Sequence, residues 1–176
     1  MKYLRLTDVI VTANADQELV FWDLKSSLVL RRHVVQGTIT SLAANPTLSL
    51  IAVGTDLGFV RIYAVNSIHS QNPTLMMRHR VHSKPVTEAS TKILDDYLHF
   101  KLSFDSSGRF LSSSSDDGCI FFYDTAKEFA PLGYLLIEGK VRGSSWMWEE
   151  EDENLVNLKA TTDLVATLLL YFGDRF

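Results

Sequence analysis

One short pattern occurs three times in this chain, and the spacing of its copies limits the folds open to it. The clearest copy, FLSSSSDDGCIFFYD, runs from Phe110 to Asp124. An apolar-to-small run leads into Asp116-Asp117-Gly118. An alternating run from Cys119 to Tyr123 follows and ends in Asp124. Asp-Gly between two β-prone runs is a strong hairpin signal, because the glycine supplies the positive φ that a tight turn demands. Aligned on the last aromatic, the copies are Gln17-Glu18-Leu19-Val20-Phe21-Trp22-Asp23, Leu57-Gly58-Phe59-Val60-Arg61-Ile62-Tyr63-Ala64 and Asp117-Gly118-Cys119-Ile120-Phe121-Phe122-Tyr123-Asp124. In each copy an apolar residue, Ile10, Ile51 or Leu111, stands 12 positions before the aromatic.

The aromatic markers are 41 residues apart, then 60 apart. The first spacing matches the ~40–45-residue period of a four-stranded propeller blade that ends in a Trp-Asp dipeptide. The second is longer by one loop. On these residues the chain resembles the WD-repeat family. The carriers are Phe21-Trp22-Asp23, Phe122-Tyr123-Asp124, His82-Ser83-Lys84-Pro85-Val86 and Phe104-Asp105-Ser106-Ser107-Gly108-Arg109-Phe110-Leu111. The resemblance implies an all-β fold, a partial β-propeller of about three to four four-stranded antiparallel blades.

Blade one is expected over residues 1–36, without its innermost strand, and with Arg31-Arg32-His33 at the exposed end of its outer strand. Blade two covers 37–83 and blade three 84–140, with an insertion at 87–97 that supplies the excess spacing. Blade four, 141–176, lacks its outer strand. Seven blades would need about 280–315 residues, so the chain is expected to be a piece of a larger propeller. An open arc leaves unpaired strand edges, which favour self-association or non-cooperative melting. A sharp two-state transition from a monodisperse monomer would refute that expectation.

Hydrophobic residues make up 46% of the 176, which suits a packed core and argues against disorder. A net charge of −4 offers no general attraction for nucleic acid or an anionic membrane. Cys119 is the only cysteine, so no intramolecular disulfide can form. Asp8 interrupts the apolar part of the N-terminus, which has only three consecutive apolar residues against the roughly 7–15 of a signal peptide. No apolar run approaches the ~20 residues of a membrane span. A soluble cytoplasmic chain is the expectation.

His82 is the sharpest single residue. In the family, such a histidine bonds an aspartate in a strand-to-strand turn, within a buried network that includes a strand serine and the terminal aromatic. The matching residues are Asp117, Ser113 or Ser115, and Tyr123. The first blade offers Asp16 and Trp22 without a preceding histidine. The second has Leu57 at the turn position, Asp56 one place early and Val35 at the histidine position. A His–Asp pair is also the shape of a general-base dyad, so a hydrolase using His82 and Asp117 is the enzymatic alternative. No Gly-x-Ser-x-Gly elbow accompanies it. Neither a phosphate loop, a paired-cysteine metal motif nor a dinucleotide fingerprint is present, so no cofactor or metal is expected.

Candidate interaction surfaces are Arg61, Arg78 and Arg80, and the acidic turn containing Glu149, Glu150 and Glu151. The arginines of Arg78-His79-Arg80 also read as charges that protect an edge strand from aggregation. The acidic run reads as a solvated loop, since a calcium loop alternates its ligands and needs a glycine for the bend. Trp146 and Trp148 alternate on one strand face and are expected in the core or in inter-blade packing rather than as a base-stacking platform. Cys119 is expected to be a packed, inert thiol.

The function expected is a noncatalytic scaffold for protein–protein interaction. A narrower resemblance rests on Leu98 to Asp105, Gly108 to Leu111, Asp116 to Phe121, Phe129 to Tyr134 and Glu138 to Val141. These look like the divergent blades of the large cilia- and flagella-associated WD-repeat proteins. That similarity implies an axonemal motility complex, with dynein-tether components or microtubule-associated proteins as partners. The alternative is an adaptor of a cytosolic machine, such as a ubiquitin ligase, a trafficking coat or an RNA-processing complex.

Overall fold

The structure, a computed structural model, describes residues 1–66, 68–69, 71–82, 101–137, 141–148, 156–162 and 168–172. The chain divides into two compact units, Met1–Leu98 and His99–Phe176. The insertion expected at 87–97 and the acidic residues Glu149, Glu150 and Glu151 lie outside the described residues.

The first unit holds two antiparallel sheets, each a simple up-and-down meander. One is β1 (Lys2–Leu4), β2 (Val9–Ala13), β3 (Glu18–Asp23) and β4 (Val29–Val34), paired in that order. The other is β5 (Ile39–Ala44), β6 (Leu50–Thr55), β7 (Phe59–Ala64) and β8 (Thr74–Arg80). The first strands of the two sheets, β1 and β5, lie beside each other. Leu4, Val9, Val11, Leu19 and Phe21 of the first sheet pack with Ile51, Val53 and Tyr63 of the second. Alternation along the strands puts these side chains on one face of each sheet, and burying them against one another drives the pairing.

The second unit begins with β9 (Lys101–Phe104), β10 (Phe110–Ser114), β11 (Cys119–Asp124) and β12 (Ala130–Leu136), again in sequence order. Among the described residues its other sheet is three-stranded: β13 (Val141–Trp148), β14 (Val156–Thr162) and β15 (Leu168–Phe172). Ile120, Phe122 and Val141 form a buried cluster in this unit, with Trp146 packed against it. The Trp146 ring meets Phe122 edge-on at 6.0 Å, and its Nε1 donates to the Ser103 carbonyl at 2.8 Å. Trp146 is therefore a core residue, as expected. Trp148 lies on β13, and its side chain is outside the described residues.

The repeat seen in the sequence has a direct meaning in the strand register. Ile10 pairs with Trp22, Ile51 with Tyr63 and Leu111 with Tyr123, so the twelve-residue spacing is one cross-strand pair in each sheet. A register shift falls just before the aromatic in all three sheets, between Phe21 and Trp22, Ile62 and Tyr63, and Phe122 and Tyr123. Such a bulge bends the outer strand and adds local twist. Five residues before each aromatic, the chain takes a positive φ: 62° at Gln17, 78° at Gly58 and 83° at Gly118. The carbonyls of these residues accept from Val35, Val81 and Ile137, where the outer strand leaves the sheet.

The first sheet departs from the sequence expectation. An innermost strand is present, β1, paired to β2 through Lys2–Val11, Tyr3–Ile10 and Leu4–Val9. Only Leu4 of its three residues is buried, too short a pattern for alternation to register. Within β4, Arg31 and His33 pair with Phe21 and Leu19 and so turn toward the second sheet rather than lying exposed.

Candidate functional site

The buried polar positions come first, because they decide how much of the sequence motif is left for chemistry. Tyr123 is fully buried, and Ser113 on the neighbouring strand is the side chain whose influence opposes the effect of burial on its phenol. Ser113 stands ten residues before Tyr123. At the same offset in the first sheet, Thr12 Oγ1 accepts from Trp22 Nε1 at 2.9 Å. In the first sheet the aromatic thus spends its one polar atom on a hydroxyl of the neighbouring strand, as a ring with a polar handle does, and Ser113 stands at the same offset from Tyr123. The second sheet has Val53 at that offset, and Tyr63 meets the His33 ring edge-on at 5.0 Å instead. Thr12 escaped the sequence reading, although the ten-residue offset shared with Ser113 would have found it.

The serines of β10 are buried and engaged. Ser112 Oγ donates to the Ser103 carbonyl at 3.4 Å, and Ser144 Oγ donates to Ser114 Oγ at 3.1 Å. Ser115 Oγ accepts from the Asp117 amide at 3.4 Å. Asp117 Oδ1 accepts from the Cys119 amide at 3.0 Å, which fixes the turn at the start of β11. A hydroxyl nucleophile has to meet substrate, and the side chains of Ser112 to Ser115 are packed away from solvent. His82 is buried in the first unit, while Ser113, Ser115, Asp117 and Tyr123 belong to the second. Asp16 is exposed in the first sheet's turn.

The arginines are distributed differently from the expectation. Arg78 and Arg80 are exposed on β8 as foreseen. Arg61, expected at the surface, is only 3% exposed. The reason is its register. Arg61 pairs with Val53 on one side and Arg78 on the other, so it shares the face of β7 that carries Tyr63 into the apolar core. Burial pulls its guanidinium below the usual range, Tyr63 opposes this, and Arg78 adds to it. Its Nη1 reaches Thr55 Oγ1 at 3.5 Å, and its Nη2 has no hydrogen-bond partner among the described residues.

Phe59 explains how two arginines tolerate each other. The Arg61 guanidinium carbon lies 4.9 Å from the Phe59 ring centroid and that of Arg78 lies 4.5 Å from it. A ring's electron-rich face attracts a cation, more strongly when water is excluded. On the facing sheet, Arg31 donates to the carbonyls of Leu30 and His69, and burial lowers the pKa of His33. Arg31 and His33 thus lie on β4, and Arg61, Arg78 and Arg80 on β7 and β8 of the same unit. Among the described residues no carboxylate pairs with any of the four arginines. Asp56 Oδ1 instead accepts from the Thr38 amide at 2.9 Å, and Asp23 is engaged by Ser26.

No group of three or more metal-ligating side chains occurs among the described residues. No helix among them is long and apolar enough to cross a membrane.

Residues 77–124 match the family described as WD domain, G-beta repeat. That span runs from within β8 to the end of β11 and includes Gly118, Tyr123 and Asp124. Among solved structures, the chain is similar to the β-propeller domain of Myceliophteria thermophila Cps50 (Swd1), with a TM-score of 0.70 at 12% identity. The match covers 97% of this chain and 51% of that one, so the chain spans about half the length of that solved structure. No curated protein matches in sequence. The four-stranded meanders, the repeated register and these two likenesses define the class: an all-β chain of β-propeller blades. The segment similar to a WD repeat is residues 77–124.

Proposed function

We propose that this chain is a noncatalytic scaffold whose blades present surfaces to other proteins. One observation carries the reading: the polar residues of the repeat are consumed in holding the sheets together. Thr12, Trp22, Ser112, Ser114 and Asp117 each bond within their own unit, and Ser113 and Tyr123 are buried in theirs. What remains for function is surface, and fold alone does not name the partner. The experiment is purification of the tagged, full-length protein from its own cells. Elution in a stoichiometric complex with another protein is the expected result. A lone species with ester hydrolysis that is lost in Ser113→Ala or His82→Ala variants, both still folded, would overturn it.

The finer reading is an axonemal scaffold that helps tether dynein, supported by the residues between Leu98 and Val141 that look like blades of cilia-associated proteins. Its test is retention of the tagged protein on axonemes after nonionic-detergent extraction of a motile ciliated cell. Release with no ciliary signal would leave a cytosolic adaptor.

A further inference from the structure

We infer that the outer strand β8 takes an extended acidic segment of a partner protein as an added strand, with the partner's carboxylates on Arg78 and Arg80. The inference rests on the scaffold reading and names the chemistry of one partner. β8 is the last strand of its sheet among the described residues, and six of its seven residues are exposed. The Val81 amide donates to the Gly58 carbonyl, and Phe59 pairs with Arg80. Antiparallel pairing alternates bonded and non-bonded pairs. The amides and carbonyls of Arg78 and Arg80 therefore point away from β7, toward the edge. Both side chains stand on the face that carries Phe59, and the Arg78 guanidinium rests on that ring, 4.5 Å from its centroid.

The other outer strands show what sets β8 apart. The Val35 and Ile137 amides bond to the Gln17 and Gly118 carbonyls as Val81 bonds to Gly58. One and three residues earlier, Val34 and Arg32 of β4, and Leu136 and Tyr134 of β12, occupy the places of Arg80 and Arg78. Arg32 is already paired with Glu18 at 3.2 Å. β12 contains Pro131, which has no amide hydrogen to donate, and β8 contains no proline. A strand edge offers donors and acceptors in turn. An extended peptide matches them, and a phosphate backbone, with acceptors alone, does not. Two β8 strands would set like charges beside each other, which disfavours a second copy of this strand as the occupant. Alternate residues of an added strand share a face, so a Glu-x-Glu pattern brings two carboxylates to Arg78 and Arg80.

The test is fluorescence anisotropy of the full chain with a fluorescein-labelled peptide, Glu-Thr-Glu-Val-Glu-Thr. Comparators are the same peptide N-methylated along its backbone, its lysine counterpart and single-stranded oligouridylate. Salt-sensitive binding of the unmethylated acidic peptide alone is expected. Arg78→Gln and Arg80→Gln should each weaken it roughly threefold, and the double variant about tenfold, as the loss of exposed ion pairs does. Arg32→Gln, at the matching place on β4, should leave it unchanged. Equal binding of the N-methylated peptide would reduce the contact to charge alone and overturn the inference. So would absence of acidic-peptide binding, tighter binding of the lysine peptide or the RNA, equal weakening by Arg32→Gln, or an unaltered double variant. If the double variant fails to fold, Arg80→Gln, which leaves the Arg78–Phe59 contact intact, decides. A cellular complex that survives in the double variant would overturn the β8 contact and leave the scaffold reading standing. A lone wild-type species in cells would remove the scaffold reading, and the inference with it.

Discussion

The carbonyl of His82 occupies the space that a side chain on Gly58 would need. Gly58 also has a φ of +78° and gives its own carbonyl to the amides of Val81 at 3.1 Å and His82 at 3.3 Å. One glycine therefore closes the β6–β7 turn and holds the segment that leaves β8. Gly58→Ala should be destabilised by more than the ~1 kcal/mol charged for a left-handed non-glycine residue, since its Cβ meets rigid backbone. Gly37→Ala, at φ +96°, meets only the side chains of Asp56 and Leu57, which can give way, and should cost less. Urea denaturation of both variants checks the ranking. Equal losses would mean that the His82 segment yields as easily as a side chain.

Two buried turn residues repeat the same device. Asp105 accepts from the Ser107 amide at 3.1 Å, from the Ser107 hydroxyl, and from the Phe110 amide at 2.7 Å. Asn45 accepts from the Thr47 amide at 2.9 Å, the Thr47 hydroxyl at 3.1 Å and the Leu48 amide at 2.9 Å. Each side chain replaces water for backbone donors that the turn would otherwise bury unpaired. Asp105→Ala and Asn45→Ala should each cost about 1–3 kcal/mol. Asp105→Asn, which keeps one accepting oxygen, should cost less. Thermal or urea melts of the three variants measure this, and a neutral Asp105→Ala would remove the assigned role.

How much of this was legible in the sequence follows from what kind of signal each residue leaves. Ile10, Ile51 and Leu111 stand at a fixed distance from an aromatic because cross-strand pairing in a hairpin fixes it, so repetition alone exposed the sheets. Asp105 stands in the Phe104 to Leu111 stretch that carries the family resemblance, and the structure makes that stretch the turn between β9 and β10. Lys2 to Leu4 left no trace as a strand, since one buried residue in three carries no period. Arg61 was placed at the surface because charge usually is. Its burial follows from standing one residue out of phase with Val60 and Ile62, which puts it on the face of Tyr63. The acidic candidates Glu149, Glu150 and Glu151 lie outside the described residues.

Tyr123 gives the fold an alkaline limit. Burial raises its phenol well above 10.0, and Ser113 lowers it by less. A raised folded-state pKa means that the unfolded chain loses the proton first. The contribution to stability is therefore complete below pH 10 and declines as pH climbs toward the folded-state value. The decline from one such group approaches about 1.4 kcal/mol per pH unit. Tyr123→Phe should change stability at neutral pH by about 1 kcal/mol or less, yet show a flatter alkaline limb. Tyr63, which burial also raises, sustains the residual slope. Denaturation between neutral and strongly alkaline pH distinguishes the two curves. Parallel curves would show that Tyr123 ionises as an exposed phenol does.

Cys119 is the last residue whose behaviour the structure fixes. Burial raises its thiol pKa, and the Asp117 carboxylate raises it further through charge and hydrogen bonding. The thiolate is the reactive species, so a raised pKa means little of it at neutral pH. Alkylation by iodoacetamide should be at least about tenfold slower in the native chain than in the urea-unfolded one. Asp117→Asn removes the second cause and keeps the first. The pH at which alkylation becomes half-maximal should then move down toward the ordinary thiol range without reaching it. Faster alkylation with an unchanged midpoint would instead report opening of the β10–β11 hairpin. Because Asp117 Oδ1 also holds the Cys119 amide, that outcome would place the residue's importance in the turn rather than in the charge.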